Sequence, residues 1–320
     1  MIGVEKAKSN ITGGAGFVQS AKQAFLHNWR LYTLLLPALI WLAVFMYAPM
    51  YGSLLAFKDF KVRLGILGSP WADPLFKYFK QFFSTSVATM TIRNTLTLSL
   101  QTLLISFPAP ILFALLLNQV NKVRAKKFVQ TVSYAPYFIS NVVVVGMMTV
   151  ILAPGTGFVN TIITSLGFDP VLFMTRPEYF RPIYILSNMW QYMGFSAIIY
   201  IAALTGISPD YYEAALIDGA TKVQRIKYID IPLILPTIII MLILDVGKIM
   251  SIGYEKVFLM QNSMNTTASE IISTYVYKTG LLSAQYSFAT AVGLFNSVVN
   301  FILLVIANQF AKKYSDISIL

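Results

Sequence analysis

Long runs without a single charged residue alternate along the chain with short polar segments. Residues 31–57, 94–121, 128–168, 182–209 and 280–311 contain no Asp, Glu, Lys or Arg, and neither do residues 231–244. A helix needs about 20 mainly apolar residues to cross the hydrocarbon core of a bilayer. Five of these runs meet that length. The run 128–168 is too long for one span and is interrupted at Pro154-Gly155 and Gly157, so a span is expected over 137–153 with a short segment outside it. The run 231–244 reaches full length only by taking in Asp245 and Lys248. The pattern predicts an all-α polytopic membrane protein with six transmembrane helices. A transmembrane domain would cover 31–311, between an N-terminal segment 1–30 and a C-terminal tail 312–320.

Composition agrees. Of 320 residues, 57% are hydrophobic, 14% aromatic and only 12% charged, and the mean hydropathy is +0.67. Soluble domains carry about a quarter charged residues. The chain has no cysteine, which excludes disulfides, thiol catalysis and cysteine-bound metal. Its one histidine, His27, lies in the polar segment before the first run, so neither a histidine metal site nor a Ser-His-Asp triad is available within the spans. No cleavable signal peptide is expected, because the first 30 residues lack a short apolar core.

The net charge of +11 could suggest nucleic acid, but topology accounts for it. Lys6, Lys8, Lys22 and Arg30 precede the first span. Lys122, Arg124, Lys126 and Lys127 follow the second, Lys222, Arg225 and Lys227 the fourth, and Lys312 and Lys313 the sixth. These outnumber the positive residues of the other loops, which are longer in total. The positive-inside rule then predicts both termini in the cytoplasm. Trp29, Tyr32, Tyr47, Tyr51, Tyr134, Tyr137, Tyr184 and Trp190 flank the spans as interfacial anchors do.

The loop after the fourth span, 208–230, has more structure than a linker. Ser208 suits a helix N-cap and Pro209 the first helical position. Asp210 and Glu213 favour the positive end of a helix dipole. Leu216, Ala220, Val223 and Ile226 recur at spacings of four, three and three, which gives one apolar stripe, and Asp218 can pair with Lys222 across one turn. Gly219 permits a bend or a close approach. On residue types alone, this is either an amphipathic helix on the membrane surface or a surface against which another protein packs.

Glu213-Ala214-Ala215, then Gly219, Ile229 and Ile231-Pro232 resemble the EAA loop of the permease subunits of binding-protein-dependent ABC importers. That motif reads Glu-Ala-Ala, three residues, Gly, nine residues, Ile, one residue, Leu-Pro; here Ile replaces the Leu. Tyr212 to Ala220 with Gln224, Trp190-Gln-Tyr-Met-Gly194 and Tyr200-Ile-Ala-Ala-Leu-Thr-Gly206 resemble the carbohydrate-uptake branch typified by maltose permeases. Phe45-Met-Tyr-Ala-Pro-Met-Tyr-Gly52, Asn94-Thr-Leu, Phe107-Pro108, Ala114-Leu-Leu-Leu-Asn118 and Leu244-Asp-Val-Gly-Lys248 are similar to its polysaccharide subgroup, whose cargo includes uronate oligosaccharides from alginate or pectin. The extra external domain of the larger maltose-type subunit is missing.

The resemblance implies a multi-pass subunit of the bacterial inner membrane. Its partners would be a second permease subunit, two ATPase subunits, an external solute-binding protein, the oligosaccharide and membrane lipid. Glu213, Ala214, Ala215, Asp218 and Gly219 would couple the chain to the ATPase. The chain has no G-x-x-x-x-G-K-[ST] phosphate loop: Gly247-Lys248 lacks the leading glycine, and Gly155-x-Gly157 lacks the lysine. It is therefore expected not to be an enzyme and to hold no cofactor or metal, with Mg-ATP on the partner ATPases. Charges inside a span usually face a bundle interior or a watery cavity. Asp245 and Lys248 are thus candidates for the substrate pathway or for a structural ion pair. Asn188, Gln191, Asn296 and Asn300 fit sugar contacts or interhelical hydrogen bonds, and Trp190 and Tyr192 fit sugar stacking or interface anchoring. The alternatives are a secondary transporter, or an ABC permease for a non-carbohydrate solute.

Overall fold

The computed structural model describes residues 28–315. His27, the basic residues before it and the end of the tail lie outside the described residues. Contacts divide the chain between Leu54 and Leu55 into two units.

The first unit is the body of α1 (Trp29–Phe57). It contains Pro37 and a π-helical turn at Ala43–Tyr47. Apolar side chains such as Leu34, Phe45 and Met50 are exposed along it, as suits a helix whose solvent is lipid.

The second unit is helical, and its only extended pairing among the described residues is the isolated bridge Lys58–Trp71. After short turns come α2 (Lys77–Phe83), α3 (Ser86–Asn118), α4 (Val123–Phe138), α5 (Asn141–Ile151) and α6 (Phe158–Ser165). There follow α7 (Pro177–Thr205), α8 (Pro209–Ile217), α9 (Lys222–Val246), α10 (Tyr254–Met260), α11 (Ile272–Tyr277) and α12 (Tyr286–Ser315).

Four helices, α1, α3, α9 and α12, are each long and apolar enough to cross a membrane. The number becomes six when the pairs α4/α5, bent by 97°, and α7/α8, bent by 72°, count as one each. The expected straight span over 137–153 is therefore corrected. The backbone turns at Ile139-Ser140, after a 3-10 turn that contains Pro136. The 11 residues of α5 extend only about 16 Å, too short to cross alone. Ser140 caps α5 through its side chain, which accepts from Val143 N. The segment after α5 is also ordered. Asn160, 1% exposed, donates to the carbonyls of Leu152, Ala153 and Val171 and accepts from Val171 N at 2.7 Å.

Three apolar cores hold the second unit. Near one end, Leu98, Phe180, Tyr184, Val257 and Ile271 pack α3 and α7 against α10 and α11. Beside them, Phe82, Ala88, Met250, Ile272 and Phe288 join α2, α3, α11 and α12. Toward the other end, Ala114, Leu115, Ala197, Tyr200, Leu204 and Ile234 join α3, α7 and α9. The approach of α4 to α7 is closer still. A Cβ placed on Gly194 would run into the backbone carbonyl of Ser133, so only glycine permits this contact.

Polar side chains close the gaps between helices. Asn94 donates to the carbonyls of Thr267 and Glu270 and accepts from Arg181 at 3.0 Å. The ammonium of the buried Lys58 is ringed by the carbonyls of Ile66, Leu67 and Ser69, which organises the loop before α2.

Candidate functional site: a polar cavity and the 208–230 segment

Along α7, the apolar core around Phe180 and Tyr184 gives way to Ala197, Tyr200 and Leu204 farther on. Between these cores the helix presents Asn188, Tyr192, Ser196 and Tyr200 to a cavity of about 290 Å³. They are spaced four apart, one helical face. The facing side of α3 contributes Ser99, Thr102 and Ser106, and the end of α9 with the turn after it contributes Met241, Asp245, Lys248 and Ser251. The wall thus combines hydroxyls, an amide, one carboxylate, one ammonium and aromatic and methionine side chains. That mixture suits a hydroxylated solute with apolar faces better than a bare ion or a lipid.

Four of the pathway candidates, Asn188, Tyr192, Asp245 and Lys248, line this cavity together. The pairing of Asp245 with Lys248 is corrected. Helix α9 ends at Val246, and Lys248 caps a 3-10 turn. The two side chains form no ion pair; the one hydrogen bond between the residues is backbone, Lys248 N to Asp245 O at 3.1 Å. Their charged groups stay separate within one wall, which leaves the ammonium available to an anion.

The other four candidates sit elsewhere. Trp190 is 46% exposed and does not line the cavity. Gln191 is buried; it donates to the carbonyl of Ile139 and accepts from Lys256 at 3.0 Å. Asn300 accepts from Met250 N and donates to Ser251 Oγ at 2.7 Å, and Asn296 also reaches Ser251 Oγ. These two amides brace the turn that carries Lys248 and Ser251 rather than lining the cavity. Ser99 adds a bond to the carbonyl of Ile249 in the same turn. Sequence reasoning missed Ser99, Thr102, Ser106, Ser196, Tyr200 and Ser251. The helical spacing of polar residues on α3 and α7 was the signal that could have found all but the last.

The second feature is the 208–230 segment. Ser208 caps α8 with its side chain accepting from Asp210 N. The helix ends at Ile217, with Asp218 as its C-cap. Gly219 then takes φ +74°, the left-handed conformation that commonly ends helices on glycine. Ala220 N donates to Ala215 O at 2.8 Å and Gly219 N to Leu216 O at 3.1 Å, closing the turn. Thr221 and Gln224 form a reciprocal capping box that starts α9. The stripe from Leu216 to Ile226 and the pairing of Asp218 with Lys222 are therefore overturned, because the helix stops between them. Nothing lies within 4 Å of a Cβ placed on Gly219, so the glycine serves the turn and not a close contact within this chain.

Helix α8 shows two faces. Tyr212 and Ala215 are half-buried, whereas Glu213, Ala214, Leu216, Ile217, Asp218 and Gly219 are exposed. Ile217 is 86% exposed and Val223 73%. Large apolar side chains left open beside acidic ones suit a partner surface.

Apolar helices gathered around a polar-lined cavity, with a short capped helix bent away at one end, define a membrane permease. The chain belongs to the family described as binding-protein-dependent transport system inner membrane component, whose model matches residues 106–316. That match includes most of the cavity and all of the 208–230 segment, and it displaces the secondary-transporter alternative. Among relatives, the chain is 42% identical to the polygalacturonan/rhamnogalacturonan transport system permease protein YteP of Bacillus subtilis strain 168, over 89% of this chain and 88% of that one. It is 41% identical to protein LplB of the same organism, over 96% and 95%. Among solved structures, it resembles a chain of a bacterial ABC transporter involved in the import of the acidic polysaccharide alginate. That match has a TM-score of 0.86 and 41% identity, and covers 92% of this chain and 99% of that one. A second structure, the alginate ABC transporter in complex with alginate pentasaccharide-bound periplasmic protein, gives 0.86 and 40%, over 93% and 99%.

Proposed function

We propose that this chain is a permease subunit of an ABC importer for oligosaccharides, with uronate-containing fragments such as those of alginate or pectin as its cargo. The observation that carries the reading is the match along nearly the whole chain to the alginate importer. The polygalacturonan/rhamnogalacturonan relative supports the same acidic class. The cavity chemistry is compatible: Lys248 offers a cation to a uronate carboxylate, while Tyr192 and Tyr200 offer aromatic faces beside hydroxyl and amide groups.

In this reading the pathway forms with a second, homologous permease subunit. An external solute-binding protein delivers the cargo, and two ATPase subunits hold Mg-ATP. The absence of a phosphate loop from the sequence supports that division of labour. Both termini lie in the cytoplasm, as the lysine and arginine distribution favours, which puts α8 on the ATPase side. There Glu213, Ala214, Ala215, Asp218 and Gly219 dock with the ATPase, and closure of the ATPase pair moves α8 as a lever. Displacement of α7 and α9, which α8 joins, opens the cavity to the other side, as rigid rocking of helix bundles does in transporters generally.

The experiment is to purify the complex from its native operon, reconstitute it in liposomes and measure ATP hydrolysis with binding protein and defined oligosaccharides. Oligogalacturonate or alginate oligosaccharides should raise the rate, and neutral maltodextrins of equal length should not. Stimulation by neutral sugars alone, or failure of an ATPase to co-purify, would overturn the proposal. A bulky residue at Gly219 should reduce stimulation, because its backbone disfavours side chains.

A further inference from the structure

Asp230 lies at the foot of α9 and is completely buried. Among the described residues no basic group forms an ion pair with its carboxylate. Its ligands are instead two neutral donors from other elements. Tyr212 on α8 donates its hydroxyl to Oδ1 at 2.5 Å, and Gln119, just past the end of α3, donates Nε2 to Oδ2 at 3.1 Å. Arg225, in the same segment, has a buried Nε without a hydrogen-bond partner and does not form an ion pair with Asp230. A buried carboxylate held only by neutral donors depends on each of them, since water cannot replace a lost one.

The backbone at this point is also unusual. Ile226–Asp230 forms a π-helical turn inside α9, with Ile231 N bonded to Ile226 O. Such turns are rare and cluster at functional positions. Here the wide turn ends at Asp230, the carboxylate that receives both donors.

We infer that Tyr212, Asp230 and Gln119 form the joint that transmits movement of α8 to α9 and to the end of α3. This inference rests on the proposed role of α8 as the element moved by the ATPase. Tyr212 lies on the inner face of α8, opposite the exposed residues offered to a partner, so it acts as a positioning residue and not as part of the docking surface. If α8 shifts, the short bond to Oδ1 obliges α9 to follow, and Oδ2 carries the shift to Gln119. The cavity wall at Asp245 and Lys248 lies at the far end of α9 and in the turn that follows it. Without the joint, α8 still docks but moves on its own.

The test uses the whole complex in liposomes with binding protein and the oligosaccharide that stimulates it. Tyr212→Phe removes one oxygen. It should leave the amount of co-purified ATPase and the basal hydrolysis unchanged, while lowering oligosaccharide-stimulated hydrolysis and uptake by about fivefold or more. Gln119→Met removes the amide that donates to Oδ2 without touching α8, and should lower stimulation in the same way. Unchanged stimulation in Tyr212→Phe overturns the joint, as does unchanged stimulation in Gln119→Met. Should Gln119→Met fail to assemble, Tyr212→Phe decides alone. A wild-type complex without any oligosaccharide-dependent hydrolysis would instead overturn the functional proposal.

Discussion

The ammonium of Lys256 donates to Gln191 Oε1 at 3.0 Å, and each residue is only 2% exposed. Among the described residues no carboxylate pairs with this lysine. Gln191 supplies its side-chain hydrogen bond, with the ring of Tyr192 6.0 Å from the ammonium. Gln191→Leu should destabilise the protein by about 1–3 kcal/mol, the cost of leaving a buried donor unmet. Adding Lys256→Met removes that donor and should recover most of the loss. Thermal unfolding of the single and double variants in detergent checks this; independent, additive effects would contradict it.

Lys248 faces the cavity beside Asp245 and, among the described residues, forms no ion pair or side-chain hydrogen bond, so its loss should affect cargo more than folding. Lys248→Met is expected to lower uptake of uronate oligosaccharides at normal assembly, by about tenfold if a charge-assisted bond to the cargo is lost. Uptake kinetics in proteoliposomes, compared with the amount of complex recovered, separate the two effects. Equal losses of uptake and of assembled complex would show a structural role instead.

Asn160 satisfies four backbone groups between Leu152 and Val171 with one side chain. Asn160→Ala leaves Leu152 O and Val171 N unmet, while Ala153 O and Val171 O keep Gly157 N and Phe173 N, and should cost about 1–3 kcal/mol. Asn160→Asp should be worse, because it buries a carboxylate oxygen against three carbonyl oxygens. Limited proteolysis should show new cleavage within 152–171 in both variants, and more in the second.

Asp59 accepts from Tyr78 at 2.6 Å and Lys77 at 2.9 Å. These two partners, Tyr78 foremost, hold its carboxyl below the ordinary value of 3.8. A depressed carboxyl stabilises the fold above its unfolded value, and that contribution is lost as pH falls through the folded one. Asp59→Asn should therefore be slightly less stable than wild type at pH 7, by about 1 kcal/mol at most for so exposed a pair. The gap should close at pH values below 3.8. Thermal melts of both proteins across that range provide the measurement, and a gap that stayed constant would refute the assignment.

How much was legible in the sequence differs by element. Ser208 and Pro209 announce where α8 begins, because capping is local chemistry, whereas Gly219 reads from sequence as a bend within one helix and in the structure marks its end. The bend between α4 and α5 was not read. Absence of charge tells which residues lipid tolerates, but not where the backbone turns, and the one local sign was Pro136. Helices α3 and α7 begin at Ser86 and Pro177, before their charge-free runs, because both helices take in an arginine: Arg93, which is exposed, and Arg181, which bonds to Asn94. Gln191, Asn296 and Asn300 have the composition of sugar ligands, yet their bonds go to Ile139, Ser251 and Met250, partners that only tertiary structure supplies. The contact of Gln119 with Asp230 spans 111 positions and is invisible to any local pattern.

Gly194 and Ser133 bring two backbones into contact with no side chain between them. Side chains act as spacers that can change rotamer when helices slide; here that compliant layer is missing. Any shear of α4 against α7 drives peptide groups directly into each other, so the two helices are expected to travel together through the transport cycle. The movement that opens and closes the cavity then belongs to the seams where side chains do interdigitate, chiefly between α7 and the α3 and α9 faces that meet it around Ala114, Ala197 and Ile234.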